Sequence, residues 1–213
     1  MAREGILSIQ SHVAYGHVGN CAAVFPLQRL GHEVWAVNTV QFSNHTGYGT
    51  WKGSANSVEQ IREILQGVEE RGAFARTRAV MSGYLGDPQL GAAVLETVAR
   101  IRAARPGALY ACDPVMGDVG RGFFVRPGIP EFFRDQAVPQ ADIVTPNAFE
   151  LAFLADRSID SLEDALAGAA QVRQRGPSLV VVTSLELPGA VDEIVVLADT
   201  AAGSWLVRTP KLP

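Results

Sequence analysis

Three carboxylates stand in loops that follow apolar runs of the sequence. Asp113 and Asp118 belong to the stretch DPVMGD, and Glu150 ends the stretch TPNAFE. Hard oxygen ligands of this kind suit Mg²⁺, which is held partly through water while it bridges phosphate oxygens. Turn formation is the alternative for the two aspartates, because Asp-Pro and Gly-Asp pairs are ordinary loop formers. The residues alone leave both interpretations open.

A second group of residues combines ring side chains with hydroxyls. The rings are those of Tyr15, Phe42, His45 and Tyr84, and the hydroxyls are those of Ser11 and Thr46. Such a set suits an apolar slot that stacks a flat heterocycle while hydroxyls bind its edge. Core filling is the alternative, and it is strong for Phe42 and Tyr84, because aromatic residues near strand ends usually pack under loops.

Several familiar catalytic patterns do not occur in the sequence. There is neither a Walker-type phosphate loop nor a helix-opening GxGxxG fingerprint. His12 and His17 lie five residues apart and outside any cysteine cluster, which makes a zinc site a weak hypothesis. Ser11 lacks the elbow motif of a serine hydrolase. The absence of these motifs leaves open a phosphate-binding site of another type.

The elements that must position these residues alternate between apolar runs and helical periodicity. The predicted strands are GILSIQ, EVWAVNT, AVMSGYL, LYACDP, DIVTP and SLVVVTSL, the last with the β-branched density of a strand buried on both faces. The predicted helices span residues 20–30, 57–70, 89–104, 147–154 and 161–174. This alternation predicts an α/β fold, a mostly parallel sheet with helices on both faces. EIVVLAD and SWLVRT predict a late antiparallel hairpin.

The order of these elements indicates where a ligand binds. Open α/β sheets bind ligands beyond the carboxyl ends of their strands, and most of the polar candidates follow an apolar run. SHVAYGHVGN, residues 11–20, is accordingly predicted to be a strand-to-helix turn.

Composition narrows the function classes further. The chain has 213 residues, of which 47% are apolar, and a net charge of −4. This balance predicts a cytoplasmic globular protein with neither a nucleic acid nor a membrane as partner. Cys21 and Cys112 are expected to be free thiols, most commonly buried, and not a disulfide.

Five strings in register identify a family resemblance. SIQSHVAYGHVGN, NTVQFSNHTGYGTWKG, SGYLG, DPVMGD and TPNAFE closely resemble the pyridoxal kinases of the ribokinase-like superfamily, and the resemblance spans essentially the whole chain. It implies a three-layer sandwich that phosphorylates the 5'-hydroxymethyl group of pyridoxal with ATP. It also implies Mg²⁺, a homodimer and a possible need for a monovalent cation.

The resemblance implies a role for each candidate residue. Ser11 and Thr46 would contact the pyridine-ring substrate, and Phe42, His45 and Tyr84 would form its pocket wall. The positions that match ATP-binding residues are Asp113, Asn147, Thr183 and Ser184. The positions that match metal-site residues are Asp113, Asp118, Thr145 and Glu150. Residues 117–128 would be a flap over ATP, which their glycines allow.

The chain departs from the family at its end. Relatives carry a Gly-x-Gly-Asp turn whose aspartate activates the substrate hydroxyl, and no such motif occurs in the 213 residues. No catalytic residue is therefore assigned, and the expected aspartate lies beyond Pro213. We expect residues 1–213 to form a single ribokinase-like domain, incomplete at its C-terminus, with one apolar sheet face uncovered. A hydroxymethylpyrimidine kinase and a truncated, non-catalytic homologue that binds B6 vitamers are the alternatives.

Overall fold

The computed structural model describes residues 4–187 and 192–211. Contacts divide the chain into two compact units. Unit 1 consists of Met1–Tyr110 and Arg126–Ile129, and unit 2 consists of Ala111–Val125 and Pro130–Pro213. The expectation of a single domain over residues 1–213 is not tested by this division and stays a prediction.

Unit 1 is built on a mostly parallel sheet. Its elements in chain order are β1 (Gly5–Tyr15), α1 (Asn20–Arg29), β2 (Glu33–Asn44), β3 (Gly53–Ala55), α2 (Val58–Glu70), β4 (Thr77–Ser82), α3 (Leu90–Ala104) and the first half of β5 (Leu109–Cys112). Strand β1 pairs in parallel with β2 and with β4, whereas β3 adds to β2 in the antiparallel direction. The seven successive residues from Gly5 to Ser11 are all buried, which shows that protein covers both faces of β1.

Unit 2 continues with the second half of β5 and then with short elements. These are β6 (Gly117–Asp118), β7 (Gly122–Phe123), α4 (Ile129–Phe132), β8 (Ile143–Val144), α5 (Ala148–Ala155), α6 (Leu162–Arg173), β9 (Leu179–Leu185), β10 (Glu193–Thr200) and β11 (Gly203–Pro210). Strand β8 pairs in parallel with β5 and β9. Strands β10 and β11 form the predicted antiparallel hairpin, and β10 pairs antiparallel with β9.

The two faces of the hairpin end of unit 2 differ in burial. Val180, Val182, Val195 and Leu197 are fully buried on the face where Arg173 of α6 forms an ion pair with Asp199 at 2.8 Å. On the other face, Val181 and Ala198 are half-buried, and the strand register aligns them with Trp205 of β11. Trp205 is 55% exposed and Val207 is 61% exposed. The prediction that β9 is buried on both faces is therefore wrong, because every second residue of its first half is only half-buried.

The element boundaries correct one sequence prediction. Residues 11–20 are not all a turn, because β1 continues to Tyr15 and pairs through Val13 with Phe42 and through Tyr15 with Asn44. Only residues 16–19 connect β1 to α1. For the same reason Phe42 lies inside β2, rather than after it. The sequence analysis missed the end of this strand because strands are recognised by the spacing of apolar residues, and several residues in this stretch are polar.

Two further predictions concern the thiols and the membrane. Cys21 and Cys112 are both free, and of the two only Cys112 is fully buried. Among the described residues, no helix combines the length with the apolar character that crossing a bilayer requires.

Candidate functional site

Ser11 lies in unit 1 at an irregularity between two paired strands. Gln10 is aligned with Asn38 and His12 with Gln41, so that Ser11 alone faces the two residues between them on β2. Such a bulge redirects side chains locally. Ser11 is 8% exposed, and a Cβ added at Gly19 would overlap its carbonyl oxygen and its Oγ. Gly19 has a φ of +54°, so this close approach requires glycine on both counts.

Thr46 and His45 lie in a loop that is held by hydrogen bonds from its own residues. Thr46 opens a single 3₁₀ turn, and His45 caps it because its Nδ1 accepts from the backbone N–H of Gly47 at 3.3 Å. Asn44 donates from Nδ2 to the carbonyl oxygens of Thr50, at 2.9 Å, and of His45, at 3.1 Å. These bonds fix the backbone that carries the Thr46 hydroxyl.

The aromatic candidates of unit 1 are divided between the core and the surface. Phe42 is 7% exposed and forms a core cluster with Val13 and Val40, against which Tyr84 packs. The Trp51 ring lies 4.2 Å from the Phe42 ring, between centroids. Tyr15 is 73% exposed and contacts Tyr48 edge to face. The structure thus shows the core-filling contacts of Phe42 and Tyr84, and their role as a pocket wall stays a prediction.

Tyr84 is tied to β2 through its backbone. The Thr39 hydroxyl donates to the Tyr84 carbonyl oxygen at 2.6 Å, so that the segment after β4 is fastened to the neighbouring strands. Burial raises the pKa of the Tyr84 phenol above its usual value, and the positive charge of Arg126 partly offsets this rise. A tyrosine phenol is protonated at neutral pH even at its ordinary pKa, so Tyr84 is available as a hydrogen-bond donor.

Asp113 and Glu150 lie together at the carboxyl ends of β5 and β8 in unit 2. Burial raises the pKa of Asp113 to about 6, against a hydrogen bond from the Thr145 side chain that lowers it. Burial also raises the pKa of Glu150 to about 8, and the nearby charge of Asp113 adds to the rise. Two buried carboxyl groups are held here with too little positive charge around them to favour ionisation.

Glu150 and Asn147 form a helix cap that the sequence analysis did not identify. The Asn147 Oδ1 accepts from the Glu150 N–H, and the Glu150 carboxylate accepts from the Asn147 N–H, both at 2.9 Å. The other Glu150 oxygen accepts from the Met116 N–H at 3.0 Å. The pattern Asn-x-x-Glu at the start of α5 is a capping box, so the sequence contained its signal. Structural capping accounts for the placement of both residues, and their ligand roles stay predictions.

Thr183 and Ser184 lie next to this cap at a bulge in β9. Thr183 donates its N–H to the Pro146 carbonyl oxygen at 2.8 Å and forms an isolated bridge with Asn147. Ser184 is exposed and has a φ of +52°, a conformation that a serine adopts at an energetic cost. Thr183, one of the four residues predicted to bind ATP, therefore lies beside Asn147, and Ser184 is exposed at the bulge; their role in binding ATP stays a prediction.

Asp118 stands apart from the other carboxylates. It lies in the small β6–β7 hairpin, is exposed, and accepts from the Val119 N–H at 2.8 Å. The hairpin is fastened to α5 because Asn147 Nδ2 donates to the Gly117 carbonyl oxygen at 2.8 Å and the Phe123 ring contacts Phe149. A side chain at Gly117 would overlap the Phe149 ring. The structure thus connects Asp118 to the site through the backbone of its hairpin.

The structure brings some predicted residues together and leaves others apart. The group in contact in unit 2 consists of Asp113, Thr145, Asn147, Glu150 and Thr183. Over residues 4–187 and 192–211, no three His, Cys, Asp or Glu side chains are arranged to hold a metal ion. A pair of carboxylates still fits Mg²⁺, which usually takes one or two of them and completes its shell with water and phosphate. The predicted metal site stays a prediction.

Known proteins place the chain in a family. A sequence model described as phosphomethylpyrimidine kinase matches residues 55–211. The pyridoxal kinase PdxY of Rubrobacter xylanophilus is 60% identical over 98% of this chain and 72% of its own length, and that of Deinococcus radiodurans is 56% identical over 99% and 72%.

A solved structure supports the same assignment. Pyridoxal kinase from Leishmania donovani in complex with ADP and pyridoxamine matches with a TM-score of 0.90 and 33% identity, over 98% of this chain and 75% of that one. The fold is therefore ribokinase-like, as the sequence predicted. With this identity and coverage, the chain belongs to the pyridoxal kinase family.

Proposed function

We propose that this chain serves the ATP-dependent phosphorylation of pyridoxal or a closely related B6 vitamer. The observation that carries the proposal is the 60% identity to the Rubrobacter xylanophilus pyridoxal kinase over 98% of the chain. In this reaction the oxygen of the 5'-hydroxymethyl group bonds to the γ-phosphorus of ATP, the bond to the bridging oxygen breaks, and ADP leaves. The hydroxyl proton passes to a base.

Unit 1 would bind the vitamer. Ser11 and Thr46 offer hydroxyls on backbones that hydrogen bonds and strand pairing hold in place, which lowers the entropy cost of binding. A pyridine ring has polar atoms at its edge and apolar faces, so hydroxyl donors and aromatic neighbours suit it. His45 and Tyr84 would complete the wall, with Phe42 supporting it from the core.

Unit 2 would bind the nucleotide phosphates together with Mg²⁺. Asp113 and Glu150 would hold the cation with the Thr145 hydroxyl beside them, and the raised pKa values of both carboxyls indicate that a cation there would be stabilising. Mg²⁺ would neutralise charge that develops on the phosphate oxygens. Asn147, Thr183 and Ser184 would contact ATP. Asp118, which lies in the flap of residues 117–128, would contribute to the metal site.

The base is not assigned to any of the 213 residues. The family likeness places it in a Gly-x-Gly-Asp motif, which this sequence does not contain. Asp113 and Glu150 already have roles at the phosphate end in this proposal. The likeness also supports a homodimer, and the need for ATP supports the cytoplasmic location predicted from the sequence.

The test is formation of pyridoxal 5'-phosphate by the purified chain, compared with the Rubrobacter xylanophilus kinase under the same conditions. Binding of pyridoxal and of Mg-ATP is measured on the same sample by calorimetry, and intact mass verifies the chain. Hydroxymethylpyrimidine serves as the competing substrate, because the family model that matches this chain is described as phosphomethylpyrimidine kinase. Pyridoxal binding with preference over hydroxymethylpyrimidine supports the proposal. Preference for hydroxymethylpyrimidine, or no binding of either ring, contradicts it.

A further inference from the structure

A buried polar network surrounds Asn20, the first residue of α1. Asn20 is 3% exposed, and its Oδ1 accepts from the Ser8 hydroxyl at 2.7 Å. Its Nδ2 donates to the Asn38 Oδ1 at 2.8 Å and to the Val37 carbonyl oxygen at 3.1 Å. Gln10 extends the network, because its Nε2 donates to the Ser8 hydroxyl at 2.9 Å. One side chain thus connects α1 to both β1 and β2.

The network lies where the pairing of β1 with β2 changes register. The last aligned pair before the shift is Gln10 with Asn38, and both contact the Asn20 amide, with the Gln10 carbonyl oxygen at 3.4 Å from Nδ2. A bulge leaves backbone groups without their regular ladder partners. The Asn20 amide provides a donor to carbonyl oxygens at this point, and so stabilises the irregular pairing opposite Ser11.

Asn20 also fixes the residue that touches Ser11. Gly19 directly precedes Asn20, and its backbone approaches Ser11 so closely that any Cβ there would overlap the Ser11 carbonyl oxygen and Oγ. No side chain caps α1 at Gly19. The side chain of Asn20 therefore helps to hold this part of the turn against Ser11, together with the Cys21 thiol, which donates to the Val13 carbonyl oxygen at 3.0 Å.

We propose that Asn20 is a positioning residue for vitamer binding, because it holds the bulge and the Gly19 backbone that together set the Ser11 hydroxyl. This inference rests on the proposed function, in which Ser11 contacts the ring. The chemistry explains why the residue is an amide. Position 20 must accept from one hydroxyl and donate to three oxygens, and among side chains of this size only asparagine does both.

A purely structural role predicts a different pattern of effects. If Asn20 only stabilised unit 1, its loss would lower stability and leave the affinity of the folded protein for pyridoxal unchanged. If it positions Ser11, its loss lowers the affinity, and it does so only while the Ser11 hydroxyl is present. Coupling between the two positions therefore separates the two roles.

The experiment is a double-mutant cycle on the 213-residue chain, with pyridoxal titrated by calorimetry. Ser11→Ala is expected to weaken binding about 2- to 13-fold, the effect of one net hydrogen bond. Asn20→Ala is expected to weaken pyridoxal binding to a similar extent. The double variant, which carries both changes, is expected to bind pyridoxal no more weakly than Ser11→Ala alone. Thr77→Val is the matched control, because Thr77 is fully buried in unit 1 and its hydroxyl donates to the Ala73 carbonyl oxygen, away from Ser11 in the chain. It should lose stability without losing affinity.

The outcomes separate the inference from the function on which it rests. If the unaltered chain does not bind pyridoxal, the proposed function and the inference both fail. If Ser11→Ala weakens binding but Asn20→Ala does not, or if the two effects are additive, only the positioning role is contradicted. Should Asn20→Ala not fold, Asn20→Asp replaces it in the same cycle, because the carboxylate keeps the acceptor for the Ser8 hydroxyl and removes the amide donors. That variant should also lose affinity only while the Ser11 hydroxyl is present, and full affinity in it would overturn the inference.

Discussion

The two units place different chemistry at the carboxyl ends of their parallel strands. In unit 1 the hydroxyl-bearing candidates Ser11, Thr46 and Tyr84 are uncharged at neutral pH, as hydroxyls and phenols ordinarily are. In unit 2 the central candidates are the carboxyl groups of Asp113 and Glu150, whose pKa values are raised to about 6 and about 8. Both units bury polar groups, but among the described residues the acids whose pKa values burial raises to between about 6 and about 8 lie in unit 2.

This difference matches what each unit would bind. A neutral ring needs directional hydrogen bonds from rigid positions, and hydroxyls can provide them without a charge to desolvate. Phosphates with a divalent cation need negative groups that gain stability when the cation arrives. Sensitivity to pH, salt and metal should consequently be concentrated in unit 2, whereas unit 1 should respond mainly to the loss of single hydrogen bonds.

The largest expected effect is on the rate of phosphoryl transfer, and it leaves pyridoxal binding in place. We expect the 213-residue chain to form pyridoxal 5'-phosphate more slowly than the Rubrobacter xylanophilus kinase by at least ~10²–10⁴-fold, the usual contribution of a positioned general base. Pyridoxal 5'-phosphate production is followed at saturating Mg-ATP and pyridoxal. The matched control is the Rubrobacter kinase shortened to the region that aligns with this chain. Turnover by this chain at the rate of the full-length kinase would mean that one of its own residues serves as the base.

The next effect concerns stability and pH without metal. The folded-state pKa of Glu150 is about 8, above its ordinary 4.5, so folding favours the protonated form. Its favourable contribution is fully present below about pH 4.5 and is lost as pH rises through 8. Relative to the unaltered chain, Glu150→Gln should therefore gain stability across this window, on the order of a few kcal/mol.

The measurement is urea unfolding of both proteins at several pH values, with EDTA present. Ser11→Ala is the control from unit 1, and its difference from the unaltered chain should be independent of pH. Added Mg²⁺ should reduce the pH-dependent loss in the unaltered chain. A constant difference between Glu150→Gln and the unaltered chain from pH 4.5 to 8 would show that Glu150 titrates normally, and the contrast between the units would then fail.

The five longer helices and most strands were predictable because local chemistry determines them, whereas the four-residue helix α4 was not predicted. Ser57 and Ser161 cap α2 and α6 with their hydroxyls, and the apolar period runs to within a residue or two of each helix end. The late hairpin followed from two alternating runs around a short polar turn. Strand order and the continuation of β1 through Ser11 depend on pairing between distant residues, which local spacing does not encode.

Candidate site residues could be named from the sequence, and their roles stay predictions, whereas their electrostatics could not be predicted at all. Family resemblance selected Asp113 and Glu150, yet their raised pKa values arise from burial by segments far apart in sequence. The same limit applies to Asn20, which looks like an ordinary first residue of a helix. Its four polar contacts involve positions up to 18 residues away. Asn147 and Glu150 were the exception, because their capping box is a local pattern.

A smaller effect tests which carboxylates serve the phosphate end. We expect Asp113→Asn to raise the Mg-ATP dissociation constant about tenfold or more, in the range found when groups that support a metal are removed. Asp118→Asn should do less, because Asp118 is exposed and lies on the flap hairpin. Calorimetry with Mg-ATP and, separately, with pyridoxal measures both. A collapse of pyridoxal affinity in Asp113→Asn, with Mg-ATP affinity kept, would reverse the assignment of the two units.

The smallest expected effect belongs to the hydroxyls of unit 1. Ser11→Ala and Thr46→Ala should each weaken pyridoxal binding by about 0.5–1.5 kcal/mol, because each removes one net hydrogen bond to a neutral ligand. Neither change should move the Mg-ATP affinity or make pyridoxal binding more dependent on pH between 6 and 8. The backbone around Thr46 is held by Asn44 and His45, so deleting its hydroxyl should leave the loop intact. Unchanged pyridoxal affinity in both variants would remove these residues from the vitamer site and leave unit 1 with only its aromatic side chains to bind the ring.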